Sequence, residues 1–306
     1  MTMKTTFGIT GLARTALAAA ATAGLVFAAS VGQASAATEG AETHIERENW
    51  SFAGVKGKFD KDQLQRGFQV YQEVCSACHG LSRVYFRNLV EPGGPQFNEA
   101  AVKLLAHDWP NQIFDGPNDE GDIATRRGQL IKRPARLSDP ILGPYDNDKQ
   151  ARASQGGALP PDLSLITKAR GVEYHGSVFG HVFRMLVDVI NGYQEGGADY
   201  VHGLLVGFKE APAGMKIAPG MHYNTAFPGH QIAMAPPLSD GRVSYQDKDI
   251  PRTVDQYSRD VTAFLAWAGD PRLEQRKNMG WVVMLYLLVT AILLYLAKRK
   301  LWARFH

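Results

Sequence analysis

Apolar residues recur at helical spacing in three separate stretches of this chain. In the first, Leu64, Phe68, Tyr71, Cys75 and Cys78 step by four and three, which places them on one face of a helix. Asp60 stands where an N-cap belongs, so this helix is expected to run from there to the cysteines. In the second, Phe179, Val182, Phe183, Leu186 and Ile190 share a face of a helix over 178–190. In the third, Thr253 and Gln256 have the spacing of a capping box. Val254, Tyr257, Val261, Phe264, Leu265 and Ala268 then trace a helical stripe, which Gly269-Asp270-Pro271 stops. Alternation of the strand type is weak throughout. The stretch 91–161 is rich in Gly, Pro and Asp, holds no persistent period and is expected to be ordered loop. These patterns predict a mainly α domain with long loops, without internal repeats or a long linker.

Two further apolar runs have no polar face. Residues 16–29 follow Lys4 and Arg14 and precede Ala34-Ser35-Ala36, a small-residue cleavage site. Residues 1–36 therefore read as a cleaved secretory signal, with a mature chain starting near Ala37. The alternative is a first membrane span, but this run is short and only mildly apolar. Residues 278–297 contain no charge over 20 positions, enough to cross a bilayer core. Arg276 and Lys277 precede that run; Lys298, Arg299, Lys300 and Arg304 follow it. The heavier positive flank places the tail in the cytoplasm, and Trp281 and Trp302 suit the two interfaces. The expected organisation is a signal over 1–36, an exported domain over 37–275, a transmembrane anchor over 276–298 and a short basic tail over 299–306.

Charge sharpens this division. The whole chain carries +3, yet 37–275 holds 25 Lys and Arg against 30 Asp and Glu, a balance of −5. An acidic exported domain argues against nucleic acid as a partner and favours a basic one. The densest acidic segment contains Asp115, Asp119, Glu120 and Asp122.

Candidate chemistry centres on Cys75-Ser76-Ala77-Cys78-His79, the spacing of a covalent c-type haem attachment site. Two thiols add to the two haem vinyl groups, and the adjacent His79 offers an imidazole nitrogen to the iron. A zinc site would require further soft ligands, and the chain has only these two cysteines. A thioredoxin-like motif would sit in a βαβ pattern, which the sequence lacks. The expected cofactor is one covalently bound haem c, with the apolar face of the preceding helix lying on it. Both cysteines are consumed by attachment, so no structural disulfide is expected.

A sixth iron ligand must come from elsewhere or the position stays open. Outside the signal and the span the methionines are Met185, Met215, Met221 and Met234. Met185 sits in an apolar helix, where core packing is the ordinary role. Met234 lies in Phe227-Pro228-Gly229 through Met234-Ala235-Pro236-Pro237, whose prolines stiffen the segment just before the last exported helix. Context alone leaves core packing open for it. His44, His107, His175, His181, His202, His222 and His230 are the histidine alternatives.

Several longer segments resemble the cytochrome c1 family of the cytochrome bc1 complex, the quinol:cytochrome c oxidoreductase. They are Arg66-Gly67-Phe68-Gln69-Val70-Tyr71, Asp115-Gly116-Pro117-Asn118, Gly157-Ala158-Leu159-Pro160-Pro161-Asp162-Leu163-Ser164 and the segment around Met234. The run from Asp260-Val261 through Trp267-Ala268 to Arg276-Lys277 is similar as well. The resemblance implies a class I cytochrome c-like haem domain with long loop insertions plus one C-terminal transmembrane helix. It implies His79 and Met234 as axial ligands, Arg170 beside a haem propionate, and Pro160, Pro161 and Tyr200 in the haem pocket. It also implies an electron-transfer role rather than an enzyme in the isolated chain. Cytochrome b and a Rieske iron–sulfur protein would be its partners in the complex, with a soluble, basic cytochrome c as acceptor. Together with the flanking charges, it implies a single-pass protein of the bacterial inner membrane with its haem domain in the periplasm. The stretch between Arg170 and Tyr200 is longer than in the shortest members.

Two other readings of the residues remain. One is a haem enzyme or gas sensor with an open iron, which would require Met234 to be off the metal. The other is a membrane-tethered cytochrome c serving a terminal oxidase. The 155 positions from His79 to Met234 argue against a small tethered cytochrome.

Overall fold

The structure is a computed structural model that describes residues 43, 45–117, 121–122, 131–171, 177–190 and 196–303. The signal expected over 1–36 lies outside the described residues, as do Asp119 and Glu120.

Asp60 starts the first helix as expected. Its carboxylate accepts the backbone N–H of Asp62 and Gln63, and α1 runs over Lys61–Glu73. A 3-10 turn at Cys75–Ala77 follows, then β1 over Leu81–Tyr85. The stretch expected to be loop contains two helices. These are α2 (Glu99–His107), capped by Asn98, and, further on, α3 (Asp148–Ser154), capped by Asn147. Between them, β2 (Ile113–Phe114) pairs with β3 (Lys132–Arg133), and β4 (Pro140–Ile141) returns antiparallel to β1. Then come α4 (Ile166–Ala169), α5 (Val178–Ile190) and α6 (Gly196–Val206). A ribbon of β5 (His222–Tyr223) and β6 (Gln231–Ile232) precedes α7 (Val254–Gly269) and α8 (Leu273–Trp302).

The core is built on the crossing of α1 with α7. Phe68 meets Phe264 edge to face at 5.5 Å between ring centroids, and Tyr71 lies 5.9 Å from Phe264. Gly67 makes this approach possible, since a Cβ there would lie 2.0 Å from the carbonyl oxygen of Asp260. Beside the crossing, the fully buried Asp260 accepts from Arg66, from the Tyr245 hydroxyl and from the Gln256 amide. A buried carboxylate is tolerated only when it is paired and hydrogen-bonded in this way. Leu64, Phe68 and Tyr71 thus spend their apolar face on the helix crossing, a different partner from the haem expected for that face.

The capping box of α7 is half made. Thr253 Oγ1 accepts the Gln256 N–H at 3.3 Å, but the Gln256 side chain turns forward to Asp260. Asp240 takes over a second free donor, accepting the Val254 N–H at 2.7 Å. After the break at Asp270–Arg272, α8 is the one described helix long and apolar enough to cross a membrane. Its first turn is tied back to the domain. Glu274 accepts the Phe59 N–H, and Lys277 Nζ donates to the carbonyls of Phe52 and Gly57.

Candidate haem-attachment site

The site begins where α1 loses its helical geometry, at Val74 with φ −122° and ψ −58°. The Cys75 carbonyl then accepts both the Cys78 and the His79 N–H, at 3.1 and 2.9 Å. One tight turn therefore carries all three residues of the motif. Both thiols are free. Burial, and secondarily Cys78, pushes the Cys75 thiol up to about 12, so its sulfur keeps its proton. Cys78 Sγ accepts the Gln155 amide at 3.6 Å, and the same amide nitrogen donates to the Tyr145 hydroxyl at 2.6 Å.

The orientation of His79 is set by the loop that contains Pro160 and Pro161. Nδ1 of His79 stands 2.7 Å from the Pro161 carbonyl oxygen. A carbonyl only accepts, so Nδ1 carries the proton and Nε2 keeps its lone pair, the tautomer an iron ligand needs. Burial lowers the His79 pKa, against the raising effects of the Pro161 bond and Asp162, and so favours the neutral ring. The loop is zipped onto the chain just after the motif. Leu163 N–H donates to the Gly80 carbonyl, Asp162 accepts from Ser82 N–H, and Ser164 Oγ accepts from Arg83 N–H. On its other side Gly80 lies against the chain after β4, where a Cβ on it would sit 2.6 Å from the Gly143 nitrogen. Tyr71 closes the arrangement from the core side by donating to the His79 carbonyl at 3.0 Å.

The other expected site residues lie on separate elements. Pro160 is half-buried and Pro161 exposed. Arg170 caps the end of α4, exposed, and among the described residues its guanidinium makes no hydrogen bond or ion pair. Tyr200 is buried on α6. The two are linked through backbone, since a Cβ on Gly197 would collide with the carbonyls of Thr167 and Arg170. Met234 is half-buried just past β6. Its ribbon is shaped by Asn224, whose side chain accepts from Ala226 and Phe227 N–H and donates to the Leu204 carbonyl. His230, at φ 58°, completes the turn into β6.

Several histidine alternatives have other partners. His202 is buried against Ser258, His107 pairs with Asp108 on the surface, and His230 Nδ1 donates to the Asn224 carbonyl. His44, His175 and the His181 side chain lie outside the described residues. Sequence reasoning assigned nothing to Gln155, Tyr145, Ser82 or Asp162. Only Asp162 carried a signal, its place in the Pro-Pro-Asp loop.

Two thiols one turn apart, free of any disulfide, and an imidazole whose Nε2 keeps its lone pair fit a covalently held haem. The fold and this site define a c-type cytochrome whose described residues include one apolar helix long enough to cross a membrane. The model of the Cytochrome C1 family matches residues 50–305, and the chain belongs to that family. It is 42% identical over 280 residues to cytochrome c1 of Blastochloris viridis, covering 91% of this chain and 93% of that one. Cytochrome c1 of Rhodospirillum rubrum is 37% identical over 296 residues, with 92% and 94% covered. A protein named cytochrome b/c1 from Bradyrhizobium diazoefficiens is 49% identical over 259 residues, 84% of this chain. The match covers 35% of that longer protein. The family is that of the haem c electron-transfer subunit of the bc1 complex, which is not an enzyme on its own. The mainly helical fold with one membrane-anchoring C-terminal helix agrees with that family.

Proposed function

We propose that this chain passes single electrons from a Rieske iron–sulfur protein to a soluble cytochrome c through one haem. Cys75 and Cys78 would hold the haem through two thioether bonds, each formed by adding an S–H across one vinyl group. His79 Nε2 and the Met234 thioether sulfur would ligate the iron. Arg170, exposed and uncompensated among the described residues, offsets a propionate; Pro160, Pro161 and Tyr200 border the pocket. When bound, a His/Met haem supplies a one-electron couple of raised potential with no open coordination position. The chain's own part is to hold the ring of His79 in one tautomer, to exclude water and to present an acidic domain to a basic acceptor.

The observation that carries this reading is the His79–Pro161 hydrogen bond beside two free thiols. Export to the periplasm after cleavage near Ala37, with the tail in the cytoplasm, follows from the charge flanks of the two apolar runs. Gentle solubilisation of the membrane tests the assignment: cytochrome b and the Rieske protein are expected to co-purify with this chain. In the same preparation the reduced haem should resist carbon monoxide. Isolation alone would point to a tethered cytochrome, and ready carbon monoxide binding to an open iron.

A further inference from the structure

Helix α5 is turned inside out. Val178, Phe179, Val182, Phe183, Met185 and Leu186 are all exposed, Phe179 at 88% and Phe183 at 70%. Gly180, Val187 and Asp188 are only partly exposed, so the side with a carboxylate is the more covered one. A contiguous apolar face left in water is unfavourable and marks a surface that something covers.

The place of α5 in the domain indicates what that is. Asp188 forms a two-pronged ion pair with Arg47, at 2.8 and 3.2 Å. Arg47 belongs to the segment that ends against the anchor. Trp50 donates to Asp199 on α6, the Phe52 and Gly57 carbonyls accept from Lys277, and the Phe59 N–H donates to Glu274. Arg47 and Phe52 are five positions apart, at most about 18 Å of chain. The helix is thus attached a short chain length from the point where α8 enters its uncharged run. It therefore lies within reach of the bilayer surface that anchoring through α8 would require.

We infer that α5 is an interfacial helix that lays its Phe179–Leu186 face into the phospholipid headgroup region of the membrane crossed by α8. The head would then touch the bilayer at two points, a span and a surface helix. This rests on anchoring through α8 and not on the electron-transfer assignment.

The test uses the full haem-loaded chain in nanodiscs of phosphatidylethanolamine and phosphatidylglycerol. Phe179→Cys, Phe183→Cys and, within the span, Leu288→Cys each receive a nitroxide label. The native cysteines are consumed by thioether bonds, and the haem spectrum reports that each variant is folded. Collision rates with oxygen and with a water-soluble nickel chelate are then measured. The expected result at 179 and 183 is a severalfold gain in the oxygen-to-nickel ratio over a free nitroxide in buffer, in the same direction as at 288. A water-like ratio at 179 and 183 with a lipid-like one at 288 overturns the inference and leaves the anchor standing. Shielding from both reagents at 179 and 183 overturns it in favour of a protein covering, such as a second copy of this chain. A water-like ratio at 288 overturns the anchoring itself.

Discussion

Met234 and His79 stand at opposite ends of what a single residue can disclose. His79 is bound to its neighbours by one chemistry, and the structure adds the Pro161 carbonyl that fixes its proton. Met234 has no such signature and sits half-buried after a short ribbon. Replacing it with Leu should leave the haem attached, because Cys75 and Cys78 are untouched. Loss of the thioether should lower the potential by a sizeable part of the roughly 0.8 V range that axial ligands command. Redox titration with the ligand-field spectrum reads both effects, and an unchanged potential would remove Met234 from the iron. His202 gives a second residue-scale expectation. It is buried between Ser258, Glu48, Asp255 and Trp50, with Arg259 and Asp199 close by. Burial lowers its pKa, outweighing the raising pull of Glu48. The unfolded chain therefore takes up the proton first as pH falls. This group's stabilising effect is complete above the ordinary histidine value of about 6.5 and declines below it, down to the lowered folded value. Melts followed by haem absorbance should show stability falling from about pH 7 to pH 5, and His202→Asn should flatten that slope. An equal slope in the variant would assign the effect elsewhere. Gln155 and Asp162 show why other site residues were not legible. They act on groups about 80 positions away through one amide or one carboxylate, and neither residue type is unusual in a loop.

At the level of elements, α1, α5 and α7 were legible because each carries a stripe several turns long. The structure returns α5 with the expected bounds but with the stripe facing outward, since periodicity gives a face and not its partner. Helices α2 and α3 escaped because they are short and bury little. Among its nine residues α2 buries only Val102 and Ala106, and α3 buries only Ala151. Asn98 and Asn147 cap them, but a cap without a stripe is a weak signal in a sequence. The crossing of α1 with α7 depends on backbone contact at Gly67. Gly67→Ala would drive a methyl into the Asp260 carbonyl and the Phe264 Cβ. Separating the helices should cost about 3 kcal/mol through lost packing. A lower melting temperature with the haem still covalently bound is the expected reading; wild-type stability would mean that the helices tolerate a wider crossing.

For the molecule as a whole, the anchor and the head share a first turn. Ending the chain after Asn278 keeps Glu274 and Lys277, and with them the bonds to Phe59, Phe52 and Gly57. That truncated protein should be soluble and carry haem. Ending it after Glu274 removes Lys277 and should lower stability by about 1.5–3 kcal/mol, the scale of a charged hydrogen bond. Denaturation of the two forms gives the difference; equal midpoints would mean that Lys277 contributes nothing to the head. The same layout has a consequence in time. Arg66 and its partner Asp260 are 194 positions apart. At roughly 5–20 residues per second, α7 is synthesised about 10–40 s after α1. Throughout that interval the segment carrying Cys75, Cys78 and His79 lacks the helix that α1 crosses. The two cysteine sulfurs are therefore more accessible before the fold closes, and the order of residues along the chain would place haem attachment ahead of packing.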